Sequence, residues 1–162
     1  ARRLEIPHVE LDALHWGPDW TPMPLPVFRA RVIDAVKGNA WVVDGNYSEV
    51  RDIVWNRAEM VVWLDYPLPV ILLQLVRRTL RRSISRDVLW NGNRESLREA
   101  LFSRDSIILW ALKTYKRRRR EYSALFEGSE YVHLTAVRLP SQRATRAWVA
   151  DLRPAAQADQ TV

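Results

Sequence analysis

The chain has 162 residues, of which 48% are hydrophobic and 27% charged, a composition typical of one globular domain with its own core. It contains no cysteine, which excludes disulfides and thiolate chemistry. The net charge is +6, and only three of the 25 basic residues are lysines. Because guanidinium groups bind phosphate through paired hydrogen bonds, this favours a phosphorylated partner, although a solvated basic surface explains the charge equally well.

Short apolar runs alternate with helical patterns and predict an α/β fold with a parallel sheet. The first run predicts a strand over residues 8–11. A proline-rich loop then leads to a helix over residues 26–37, followed by a strand at residues 40–44 and a short helix at 49–55. The apolar face predicted for the longer helix comprises Phe28, Val32, Ile33 and Val36.

The second half of the chain continues the alternation. A strand is predicted at residues 60–65, and a helix that begins at the prolines 67 and 69 turns basic towards its end. After a turn at residues 91–93, a long helix is expected over 95–125 with an inward apolar face. That face comprises Leu97, Leu101, Ile108, Leu112 and Tyr115. A strand at 131–139, a helix at 142–152 and a flexible tail at 153–162 complete the prediction.

Three apolar runs end on an aspartate, at Asp12, Asp44 and Asp65. Ligands of parallel sheets bind beyond the carboxyl ends of the strands, so these acids predict a polar, metal-facing edge. Asp44 is followed by Gly45, which allows a backbone to approach a ligand closely. The same pair is also common in simple strand-ending turns, and Asp12 equally suits a helix cap.

The arginines form separate groups. Four of them flank one helix at positions 77, 78, 81 and 82, and Arg104 lies across the following turn. Such a pair of helices could close over a polyphosphate, or could present two solvated faces. The run at residues 117–120 covers all sides of a helix, so mostly structural use is expected, with one member available to a ligand. None of the five glycines fits a phosphate-cradling Walker A loop.

Five segments carry a family resemblance: HVELDALHW (8–16), WVVDGNY (41–47), VWLDYP (62–67), WNGNRES (90–96) and SRDS (103–106). Together they resemble the adenylate-kinase-like P-loop proteins, which include topology-modulation proteins and putative nucleotide kinases. The resemblance covers roughly residues 1–152. It implies a three-layer fold, with a parallel sheet of strand order 2-3-1-4-5 between helices on both faces. The central first strand and its Walker A loop are expected to be missing from an amino-terminally truncated chain, which retains a helical lid over about residues 77–104.

The resemblance also implies three groups of site residues. The catalytic group comprises Asp44, which would hold Mg²⁺ through water, together with Arg78 and Arg104. The ATP phosphates are expected at Arg78 and Arg118. The substrate-binding residues that the resemblance implies are Asp12, Gly45, Asn46, Tyr47 and Arg51. Related kinases place a phosphate-binding arginine where this chain has Ser48, and Arg51 is the nearest substitute.

The resemblance implies an ATP-dependent phosphotransferase that acts on a nucleotide or another small molecule, with ATP and Mg²⁺ as cofactors of the intact, cytoplasmic protein. The 162 residues alone are expected to be inactive, because a Walker A loop supplies most phosphate and metal contacts. The alternative is a basic nucleic-acid-binding protein without kinase activity. The longest apolar stretch, residues 60–76, is interrupted by Asp65 and two prolines, so no membrane partner is expected. The phosphate acceptor and the oligomeric state are left open.

Overall fold

The computed structural model describes residues 1–85, 88–93 and 107–154, and it has a mixed α/β architecture. Four strands form two separate parallel pairs. The first pair joins β1 (His8–Glu10) to β2 (Val42–Asp44), and the second joins β3 (Met60–Leu64) to β4 (Thr135–Leu139). The predicted α/β class and the parallel pairing are confirmed, and within the described residues no strand joins the two pairs into one sheet.

Six α-helices connect and cover these strands within the described ranges. They are α1 (Leu11–His15), α2 (Leu25–Ala35), α3 (Arg51–Trp55), α4 (Leu68–Ser85), α5 (Ile107–Glu127) and α6 (Gln142–Asp151). Single 3-10 turns lie at Pro18–Trp20, Ser48–Val50 and Trp90–Gly92. The expected first part of the long helix, the lid arginine Arg104 and most of the tail fall outside the described residues. No helix in the described part of the chain is both long and apolar enough to cross a bilayer.

The principal core lies beside the first strand pair. Its buried members are Leu11, Phe28, Val32, Val50 and Val54. The prediction that Leu11 ends the first strand is wrong, because the strand stops at Glu10 and Leu11 begins α1. Asp12 therefore lies in the first turn of a helix rather than at a strand end.

Two apolar side chains predicted to face inward are exposed instead. Ile33 on α2 is 55% exposed, because Phe28 and Val32 already define the buried side of that helix. Leu112 on α5 is 44% exposed. The predicted last strand is also too long. Residues 131–134 form a turn in which Tyr131 packs edge-on against Trp55, and pairing with β3 begins only at residue 135.

Asp65, directly after β3, is the buried member of the three run-ending aspartates. Its side chain is 3% exposed and lies 3.1 Å from the Nε of Arg119 on α5. Arg138 of β4 donates two hydrogen bonds to the other carboxylate oxygen, the one from Nε at 2.8 Å. A buried carboxylate needs such partners to offset its lost hydration. Asp65 thus fixes α5 and β4 to the end of β3, which is a structural role.

A second set of contacts joins the Trp90–Gly92 turn to the loop after α1. The Asn93 side chain donates to the carbonyl oxygen of Gly17 at 2.8 Å and accepts from the backbone N–H of Trp20 at 3.0 Å. The rings of Trp16, Trp20 and Trp90 meet edge to face. These tryptophans therefore hold two loops together in the structure.

Candidate functional site

The carboxyl ends of β1 and β2 bring two acids side by side. Glu10 stands opposite Asp44 in the parallel register. The Glu10 carboxylate accepts a hydrogen bond of 2.8 Å from the indole N–H of Trp90. Asp44 is exposed and has no hydrogen-bond or ion-pair partner among the described residues. Its carboxylate is therefore open to a ligand or a hydrated cation at this sheet edge.

Gly45 turns the chain directly after Asp44. Its φ is +132°, and a Cβ at this position would lie 2.7 Å from the Cβ of Leu11. Both the backbone conformation and the close packing therefore require glycine. Val50 is fully buried at the other end of the same segment, so residues 45–50 are anchored to the core at both ends.

Within this segment, Tyr47 donates a hydrogen bond of 2.5 Å to the Asp12 carboxylate. Burial, reinforced by the charge and hydrogen bond of Asp12, raises the pKa of Tyr47 well above its usual range. The Tyr47 ring packs against Phe28 and against His15, whose own pKa is lowered by burial. Tyr47 thus stays protonated near neutral pH and orients Asp12. A protonated phenol cannot accept a proton, so Tyr47 is not a general base there.

A cleft of about 180 Å³ opens beside this segment, between the loop after β2 and the basic run of α5. The lining residues all carry polar or charged side chains. They are Asn46, Ser48, Arg51, Arg117, Arg118 and Glu121. Three guanidinium groups meet one carboxylate here, so the cleft carries an excess of positive charge. A small polar cleft of this kind suits an anion with several oxygen acceptors.

Arg51 is the most firmly held cation of the cleft. Its Nη2 lies 2.7 Å from Glu121 Oε1, and its side chain is only 16% exposed. The guanidinium carbon lies 5.4 Å from the ring centre of Trp55 and 5.9 Å from that of Tyr122. These contacts fix the guanidinium at the wall of the cleft before any ligand arrives.

Arg118 shows an unmet hydrogen-bonding capacity. Its guanidinium carbon lies 4.6 Å from the ring centre of Trp110, which fixes the side chain. Its Nε is buried and has no hydrogen-bond acceptor within the described ranges. Leaving a buried donor without an acceptor costs about 1–3 kcal/mol. Arg118 as a whole is nevertheless one of the residues that line the cleft.

The basic run at residues 117–120 divides its members between two tasks. Arg117 and Arg118 line the cleft, whereas Arg119 pairs with the buried Asp65. Arg120 is exposed, and its one hydrogen bond to a described residue is donated to the backbone oxygen of Lys116 at 3.4 Å. One member of the run is therefore structural and two line the cleft, whereas a ligand role for either of these two stays a prediction.

The structure brings part of the sequence-predicted site together. Asn46, Arg51 and Arg118 line one cleft. Asp44 and Gly45 directly precede Asn46 in the sequence. Asp12 and Tyr47 bond to each other behind that segment. Arg78 is exposed on α4 and makes no hydrogen bond or ion pair in the described part of the chain, so the structure does not bring it to the cleft. Arg104 lies outside the described residues.

Sequence reasoning missed one cleft residue of consequence, Glu121. Its only local signal is its place directly after the four arginines. Its ion pair is with Arg51, which is 70 residues away in the chain. Among the described residues, no group of three or more histidine, aspartate or glutamate side chains is placed to hold a metal ion.

No family model matches the chain, and comparison with curated proteins and with solved structures returns no match either. The resemblance to adenylate-kinase-like P-loop proteins therefore stays a prediction that depends on the quoted motifs.

Proposed function

We propose that the chain belongs to an ATP-dependent phosphotransferase of the adenylate-kinase-like P-loop class, in which the Arg51–Arg118 cleft binds phosphate. The observation that carries the proposal is the cleft itself. It gathers Asn46, Arg51 and Arg118 from two distant parts of the chain, and its lining holds three guanidinium groups against one carboxylate. Planar guanidinium groups bind phosphate oxygens through paired hydrogen bonds, so this donor set fits a phosphate group.

The residues present also fit the cofactors. Mg²⁺ keeps several water molecules and needs only one or two protein carboxylates together with substrate phosphates. Asp44 is an exposed carboxylate directly before the turn at Gly45, it has no partner in the described part of the chain, and Asn46 two residues later lines the cleft. In this proposal Asp44 would orient the hydrated cation, which would neutralise phosphate charge when bound. Arg51 and Arg118 would hold phosphate oxygens, and the proposed location is the cytoplasm.

The strand arrangement supports the finer fold within the same proposal. Among the described residues, β2 and β3 each pair with another strand on one side. β3 also leaves Met60, Val62 and Leu64, which share one face, between 36% and 50% exposed, although helices normally cover both faces of a parallel sheet. In this proposal, a further strand that carries the phosphate loop pairs between β2 and β3, which gives the family order 2-3-1-4-5, and the helix after that loop covers the exposed face. The 162 residues alone would then bind phosphate without transferring it.

The test is consumption of ATP by the full-length protein, assayed with nucleoside monophosphates, nucleosides and sugars as acceptors. The Asp44→Asn variant should lower turnover about 10–100-fold, the range for residues that act on a metal through its water shell. The matched control is Asp34→Asn, because Asp34 is an exposed acid on α2 whose ion pair is with Lys37. No turnover with any acceptor, together with unchanged nucleotide binding in Asp44→Asn, would refute the proposal.

One observation favours nucleic-acid binding as a second candidate. Helix α5 exposes basic side chains at helical spacing, namely Lys113, Lys116, Arg117 and Arg120. Such a stripe suits a phosphate backbone. Affinity for duplex DNA should then fall steeply with salt, and charge reversal at Lys113, Lys116 and Arg120 should abolish it. A flat salt response would eliminate this candidate.

A further inference from the structure

Glu121 is the one acid among the six residues that line the cleft. Its carboxylate accepts a hydrogen bond of 2.7 Å from Nη2 of Arg51. In the proposed function, a phosphate oxygen would accept from the same group. Carboxylate and phosphate compete for the same guanidinium donors. The position of Glu121 thus matters for anything that enters the cleft.

The two partners of this ion pair differ in freedom. The Arg51 side chain is 16% exposed and lies against the rings of Trp55 and Tyr122. The Glu121 side chain is 40% exposed, so water can hydrate its carboxylate once the pair opens. The acid is therefore the partner that moves, while the guanidinium stays in place.

A second guanidinium group lies near Glu121 and can pair with its carboxylate after the ion pair with Arg51 opens. Arg117 precedes Glu121 by four residues on α5, and residues at that spacing are neighbours on a helix surface. Arg117 is exposed at the mouth of the cleft. When the Glu121 carboxylate leaves Arg51, it can therefore pair with Arg117 or be hydrated by water.

We infer that Glu121 is an internal competitor for the cleft, and that it selects polyphosphate groups over small monoanions. When a singly charged anion enters the cleft, the charge of Arg51 is already neutralised by Glu121. A diphosphate or triphosphate group carries enough charge to displace the carboxylate from Arg51 and to engage Arg118 at the same time. Glu121 is a specificity-determining residue, and this inference rests on the proposed phosphate-binding role of the cleft.

The experiment is calorimetric titration of the full chain with inorganic pyrophosphate and, separately, with sodium acetate. The Glu121→Gln variant removes the competing charge and keeps the side-chain length. It should bind pyrophosphate about tenfold more tightly than the wild type, a change set by the loss of one charged hydrogen bond. Its selectivity for pyrophosphate over acetate should also decrease, because a monoanion no longer competes with Glu121.

The matched control is Glu127→Gln, which makes the same charge change at the end of the same helix, at an exposed residue outside the cleft. It should change the affinity by less than about twofold, as expected for an exposed charge. Glu121→Asp keeps the charge and shortens the reach to Arg51, so it should lie between wild type and Glu121→Gln. Circular dichroism confirms that each variant is folded, and Glu121→Asp carries the test if Glu121→Gln does not fold.

The outcomes separate this inference from the proposed function. If the wild type binds pyrophosphate and the Glu121 variants bind it no more tightly, the inference is overturned and the phosphate site stands. If neither the wild type nor any variant binds pyrophosphate, the inference and the phosphate site are overturned together.

Discussion

The sharpest consequence of the site geometry concerns Gly45. Replacing it with alanine places a Cβ 2.7 Å from the Cβ and 3.1 Å from the Cγ of Leu11, which is 3% exposed in the core and cannot move aside freely. Overpacking of a core typically costs about 1–3 kcal/mol. The φ of +132° adds about 1–3 kcal/mol for a residue with a side chain. We therefore expect Gly45→Ala to lower the free energy of unfolding by about 2–6 kcal/mol.

The assay is urea-induced unfolding followed by tryptophan fluorescence. Gly38→Ala is the matched control, because a Cβ at Gly38 would meet nothing within 4 Å and its φ lies outside the positive range. The free energy of unfolding of Gly38→Ala should stay within about 1 kcal/mol of the wild-type value. We expect a slight increase, because alanine restricts the unfolded chain more than glycine does. Equal unfolding midpoints for Gly45→Ala and Gly38→Ala would refute the close approach of the Asp44–Asn46 turn to Leu11.

Two further predictions follow from the bonds around the site. Asp65→Asn should lower the free energy of unfolding by about 1–3 kcal/mol, because Arg119 and Arg138 lose their shared buried carboxylate; an unchanged urea midpoint would contradict that role. Tyr47→Phe should cost about 1–2 kcal/mol near neutral pH through the lost bond to Asp12. Since the folded state raises the pKa of Tyr47, its stabilisation should be complete below the ordinary value of 10 and should decline as the pH rises above it. The stability of the wild type should therefore fall more than that of Tyr47→Phe in alkaline buffer, and parallel pH profiles would contradict the assignment.

Much of the local structure follows from patterns within a few residues. The valine-rich runs predicted as strands at residues 40–44 and 60–65 contain β2 (Val42–Asp44) and β3 (Met60–Leu64), and the amphipathic spacing predicted for a helix over 26–37 contains most of α2 (Leu25–Ala35). The position of Leu11 was mistaken because a buried leucine satisfies a strand end and a helix start equally well. Leu11 packs against Gly45, which is distant in sequence, and such tertiary packing is not visible in the local pattern.

The candidate site was predictable where its residues belong to one motif, and less so where they meet across the chain. Asn46 follows Asp44 in a recognisable loop, and Arg51 was the only nearby cation. Glu121 reaches Arg51 through tertiary packing of α3 against α5, which no local pattern encodes. Asp65 resembled the other run-ending acids in sequence, but the two arginines that bury it come from α5 and β4.

Phosphate binding in the cleft between the loop after β2 and the basic run of α5 underlies both proposals. It is tested by the affinity of the full chain for inorganic pyrophosphate in Arg118→Met and in its control, Arg120→Met. Arg118 lines the cleft, whereas Arg120 is an exposed neighbour that carries the same charge and does not line it. We expect Arg118→Met to weaken pyrophosphate binding by about tenfold or more, and Arg120→Met to change it by less than about twofold. Equal losses in the two variants would show that the basic surface, and not the cleft, attracts the anion.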